Sequence, residues 1–200
     1  MLDTMLFAVF PYVAVVLAVV VGISRYFGDR FSFSSLSSQF LENRALFWGS
    51  VPFHYGILLV LLAHLLALVF PAQWAALIAE PIRLYVLEVT GLALGALALV
   101  GLAVLIVRRL RQPRVLAVTS AADWVLLAIL FGQVALGLWV ALVYRWGSDW
   151  YLHTAVPWLI SLGSLSPQVE YVTALPWAVK LHMLGGFVLV AVFPFTRLVH

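Results

Sequence analysis

Five apolar stretches, each long enough to cross a bilayer and separated by short polar punctuation, constrain this chain more than any other feature. A span needs about 20 apolar residues. The stretches fall at about residues 6–23, 47–70, 85–107, 123–144 and 177–200. Hydrophobic residues make up 65% of the 200 and charged residues 10%, against about 45–50% and 25% in soluble domains. A globule of this size could not bury that much apolar surface, so lipid must solvate most of it. The expected fold is all-α: a single membrane domain over residues 1–200 with five transmembrane helices. Met1-Leu2-Asp3-Thr4 has no basic n-region and no small-residue cleavage site follows, which predicts a retained first helix rather than a signal peptide.

Arginine placement sets the expected orientation. Arg25, Arg30, Arg44, Arg108, Arg109, Arg111 and Arg114 follow the first and third spans, whereas the opposite side holds only Arg83, Arg145 and Lys180. The positive-inside rule then puts the N-terminus outside and the C-terminus in the cytoplasm. The net charge of +3 is a statement about topology, not about nucleic acid. In the long connection between spans four and five, residues 154–165 are apolar but too short to cross, and are expected to lie along the interface.

There is no cysteine, which excludes disulfides, cysteine-ligated iron–sulfur clusters and thioether-attached haem. Four histidines remain in the spans. With spans two and five antiparallel, His64 matches His182 in depth near the outer face, and His54 matches His200 near the inner face. Paired imidazoles from facing helices are the expected axial ligands of a b haem. Read as unbroken helix, His54 to His64 rises about 15 Å and His182 to His200 about 27 Å. The mismatch of about 12 Å, shared between two sites, is within reach of side chains and a tilted porphyrin. His182 and His200 would share one helix face, five full turns apart, while His54 and His64 would be about 80° out of phase. His153, in the outer connection, has no partner at matched depth and reads as an interfacial residue.

Gly185 and Gly186 follow His182 on its own face, where a porphyrin would need room. Gly56, Gly91, Gly95, Gly101, Gly132 and Gly137 on the neighbouring spans read equally as porphyrin space or as ordinary small-residue helix packing. Single intramembrane histidines often serve as hydrogen-bonding glue or proton relays. A proton-coupled transporter or haem-free anchor is therefore the contrasting reading. The lack of carboxylates within spans two and five argues against transport.

Several segments resemble the γ subunit of respiratory nitrate reductase, a cytochrome b membrane anchor. They are Pro52-Phe53-His54-Tyr55-Gly56-Ile57-Leu58, Ala63-His64, Pro113-Arg114-Val115 with Thr119-Ser120-Ala121-Ala122-Asp123, Ala135-Leu136-Gly137-Leu138, and Phe193-Pro194-Phe195-Thr196-Arg197-Leu198-Val199-His200. The resemblance covers nearly the whole chain in the same order of spans. It implies a bacterial or archaeal cell-membrane subunit with two haems b, the outer held by His64 and His182 and the inner by His54 and His200. It also implies oxidation of menaquinol or ubiquinol from the quinone pool. Electrons would pass to an iron–sulfur β subunit and a molybdenum-cofactor α subunit on the cytoplasmic face. The same architecture could serve nitrite oxidation in the reverse direction.

The family's pattern is departed from at Ala63, where relatives carry glycine, and at Tyr85, where a lysine near the quinol pocket is expected. Arg83 could supply the positive charge. Tyr85, Arg83 and the 145–176 connection are candidate quinol-pocket residues by position. Arg197 lies three residues before His200 and could meet the inner haem propionates, with Arg44 and Arg114 as alternatives. All three read equally as markers of the cytoplasmic boundary. A ligand on the last residue would be poorly held, so the natural chain is expected to continue past His200.

Overall fold

The computed structural model describes residues 1–28 and 44–196. Five helices are long and apolar enough to cross a membrane: Leu2–Gly28, a span within Arg44–Val69, Pro81–Arg111, Ala121–Val143, and Trp177–Phe195 with its final 3-10 turn. In chain order we label α1 (Leu2–Gly28), α2 (Arg44–Val69), α3 (Pro71–Ile78), α4 (Pro81–Arg111), α5 (Pro113–Ala117), α6 (Ala121–Val143), α7 (Gly147–His153), α8 (Ala155–Gly163), α9 (Glu170–Thr173) and α10 (Trp177–Val192). Among the described residues this is an all-helical, multi-pass membrane architecture.

Local chemistry explains the boundaries. Pro71, Pro81 and Pro113 each stand at the first helical position, where a missing N–H costs nothing and φ is already set. α4 ends on Arg108, Arg109 and Arg111, cations that suit a helix carboxyl end. α6 opens with a capping box: Asp123 N–H donates to Ser120 Oγ at 3.3 Å, and Ser120 N–H donates to the Asp123 carboxylate at 2.8 Å. Two orphan donors are thereby satisfied.

The spans form an open arc. α2 packs on α4, α4 on α6, α6 on α10, and α10 on α1. Where α2 meets α4 the backbones nearly touch. A Cβ on Gly56 would lie 2.6 Å from the Leu94 carbonyl oxygen, and one on Gly101 would lie 2.5 Å from the Phe53 nitrogen. Those two glycines serve helix packing. The arc is bridged at one end by the connection between spans four and five. Trp158 of α8 is 1% exposed and meets Phe7 of α1 and Phe187 of α10 edge to face, while its Nε1–H donates to the Phe7 carbonyl at 2.9 Å. A second cluster joins Ala67, Trp74, Ile78, Leu152 and Val156. Residues 154–165, expected along the interface, are thus largely a packed cap on the bundle.

One expectation is overturned. The fifth helix does not run on to His200: regular α-helix stops at Val192, and Phe193–Phe195 form a single 3-10 turn. Pro194 lacks the N–H that would reach back one turn, and its ring crowds the preceding carbonyls. Thr196 is then extended, with φ −98° and ψ 173°. His182 and His200 are therefore not on one uninterrupted helix, and neither the shared-face argument nor the rise calculated for it applies.

Candidate functional site

α2 presents two exposed histidines whose rings are fixed the same way. His54 Nδ1 lies 2.7 Å from the Ser50 carbonyl, with the Ser50 hydroxyl at 3.1 Å, and His64 Nδ1 lies 2.8 Å from the Val60 carbonyl. A carbonyl can only accept, so each Nδ1 carries the proton and each Nε2 keeps its lone pair. Metal-ligating histidines are typically held by such a bond. Pro52 lies within α2 two residues before His54. It donates nothing to the Trp48 carbonyl, which loosens the helix there.

His182 projects from α10 against α6. A Cβ on Gly137 would come within 2.6 Å of its Cε1, so only glycine at that position leaves the ring its place. Its Nδ1 is buried without a hydrogen-bond partner, while its main-chain carbonyl accepts from Gln133 Nε2 at 2.9 Å. The Gln133 amide also fills the space beside Gly185, whereas Gly186 remains open. His64 on α2 and His182 on α10 stand on helices that do not pack extensively on each other. The donor set suits a b haem: two imidazoles from separate helices, one with its Nδ1–H held by a carbonyl and one with an orphaned buried nitrogen.

Tyr151 of α7 stands beside His64. Its ring meets the His64 ring edge to face at 5.2 Å and 76°, and its hydroxyl is 3.4 Å from the His64 carbonyl. Burial pushes its pKa up to about 12, so the hydroxyl keeps its proton at neutral pH and acts as a donor.

The remaining candidates are dispersed. Arg83 and Tyr85 lie in the first turns of α4 with exposed side chains. Arg114 is exposed on α5, beyond the C-terminal end of α4. Arg44 opens α2, but its side chain, like Arg197 and His200, lies outside the described residues. Arg25 of α1 reaches the end of the fifth span, donating to the Pro194 carbonyl and, at 3.2 Å, to that of Thr196. His153 stays exposed on α7, 3.9 Å from Asp149. Lys180 is only 4% exposed; it pairs with Asp3 at 3.1 Å and donates to the Thr173 carbonyl at 2.7 Å, tying α1 to α10. Sequence reasoning missed Gln133, Glu88 and Arg25 as organising residues. Each acts on a main-chain group, which leaves no pairing pattern in the sequence.

The comparisons with known proteins agree with this architecture. A family model described as "Nitrate reductase gamma subunit" matches residues 3–200. The nitrate reductase gamma chain of Bacillus subtilis (strain 168) is 31% identical over 199 residues, covering 98% of this chain and 89% of that protein. The respiratory nitrate reductase 1 gamma chain of Escherichia coli (strain K12) is 29% identical over 204 residues, covering 100% of this chain and 90% of that protein. The nitrate reductase-like protein NarX of Mycobacterium tuberculosis (strain ATCC 25618 / H37Rv) is 33% identical over 205 residues. The chain spans 31% of the length of that larger relative. With a family match across almost its whole length and five membrane-length helices in one arc, the chain belongs to the nitrate reductase gamma subunit family.

Proposed function

We propose that this chain is the electron-transfer membrane subunit of a nitrate reductase, taking electrons from quinol at the outer face and delivering them to the cytoplasmic face. Its N-terminus lies outside and its C-terminus in the cytoplasm, as the arginine asymmetry requires. His64 and His182 hold an outer haem b, and His54 and His200 hold an inner one. The observation that carries this reading is the shared geometry of His54 and His64, each with Nδ1–H tied to a carbonyl one turn back and Nε2 left as a ligand. The haems supply one-electron chemistry, with potentials set by axial ligand, burial and hydrogen bonding.

The chain's own work is to bind, orient and exclude water. Val60 and Ser50 fix the tautomers of the α2 ligands. Gly137 leaves the His182 ring its place. Trp158 and the α7–α8 cap seal the outer end around the first site. Arg25 ties the end of the fifth span to α1 close to the inner site. Arg197, Arg114 or Arg44 would neutralise inner propionates, and Arg83 and Tyr85 flank the quinol entry. Partners are an iron–sulfur β subunit and a molybdenum-cofactor α subunit on the cytoplasmic side. Quinol protons are left outside as electrons move inward.

His64→Ala in the assembled complex tests this. The outer haem should be lost and quinol-driven nitrate reduction abolished, while reduction driven by a soluble viologen donor persists. Equal loss of both activities would contradict the assignment.

A further inference from the structure

Glu88 lies seven residues into α4, and its carboxylate receives two main-chain donors from another element: Gly147 N–H at 3.2 Å and Ser148 N–H at 2.8 Å. These are the first two residues of α7. The start of α7 has no cap of its own. Trp146, at the N-cap, stands in the left-handed region at φ 63° and makes no side-chain cap bond. A carboxylate from elsewhere therefore satisfies donors that the helix leaves orphaned, with the sign the helix amino end favours. Trp150 adds a second tie, its Nε1–H donating to the Tyr144 carbonyl at 3.1 Å.

With its start pinned to α4, α7 delivers Tyr151 onto His64, ring edge to ring face at 5.2 Å. Leu152, buried in the Trp74 cluster, backs the same turn. The Val60 carbonyl fixes the tautomer of His64, but one hydrogen bond does not by itself fix the plane of an imidazole. The Tyr151 ring supplies the second constraint.

We propose that Glu88, acting through α7, holds Tyr151 against the His64 imidazole, so that Tyr151 is a positioning residue setting the plane of that ring and covering the side of it that faces α7. This rests on the reading of His64 as an outer haem ligand. The sign of the consequence follows from solvation. A ferric haem carries one more positive charge than a ferrous one, water stabilises the more charged form, and admitting water beside the ligand lowers the midpoint potential.

The test is a redox titration of the membrane-bound complex, following both haems by absorbance and by their low-spin electron paramagnetic resonance signals. Tyr151→Ala should lower the outer potential and move the outer low-spin signal, leaving the inner haem unchanged. Tyr151→Phe keeps the ring and should behave as wild type. Glu88→Ala removes no atom that touches His64, yet should reproduce the Tyr151→Ala shift; it also carries the test if Tyr151→Ala fails to assemble. An outer haem unmoved in both alanine variants would overturn the proposal, as would equal shifts in the two haems. A wild-type complex without an outer haem would instead overturn the reading of His64, and the proposal with it.

Discussion

The two ends of the bundle are built differently. At the end that carries His64, Trp158, Phe7 and Phe187 interlock, Lys180 pairs with Asp3, and Glu88 anchors α7 beside His64. The described contacts set Tyr151 against the His64 ring and seat the His182 ring over Gly137. At the opposite end the helices run out: α10 stops at Val192, and Phe27, Phe47, Trp48 and Leu110 are exposed. Arg25 is the tie that reaches across to the end of the fifth span. Aromatic interlocks and buried hydrogen bonds hold the end of the bundle that carries His64 in advance. On the proposed reading, the outer site is then a property of the bundle's packing, and the inner one a property of how the segment after Pro194 is held.

The largest effect should come from Gly137→Leu. Its side chain would occupy the place of the His182 ring, and overpacking of this kind costs about 1–3 kcal/mol even where no ligand is displaced. Haem content should fall from two to one, with the outer spectrum missing. Retention of both haems would mean that His182 does not depend on its glycine contact. Asp3→Ala should cost about 3 kcal/mol, because it leaves the Lys180 ammonium buried without its charge partner; the partial exposure of Asp3 keeps this at the low end of the range. The apparent melting temperature in detergent should drop, with the outer haem released before the inner one on heating. The reverse order would break the comparison. Arg25→Ala should have the smallest effect, about 1.5 kcal/mol for lost charged hydrogen bonds, seen as weaker retention of the inner haem at unchanged outer occupancy.

The sequence displayed the spans well, because apolar length and arginine punctuation are one-dimensional signals. The α2 histidines stood out by depth alone, and the structure holds each Nδ1 against a carbonyl one turn back. Two things were not. The break at Val192 lay in plain view as Phe193-Pro194-Phe195, yet membrane helices often carry proline without ending, so the residue alone did not decide. The roles of Gln133, Glu88 and Arg25 were hidden for a different reason: each bonds to a main-chain carbonyl or N–H brought close only by folding. The glycines divided likewise. Gly56 and Gly101 face backbone and Gly137 faces an imidazole, a distinction that depends on helix rotation rather than on spacing.

We propose that four histidines hold two b haems, and a pyridine haemochrome assay on the purified complex should find two haems b per copy of this chain. A well-folded, partner-bound sample with none would contradict it and return the histidines to proton transfer or helix packing.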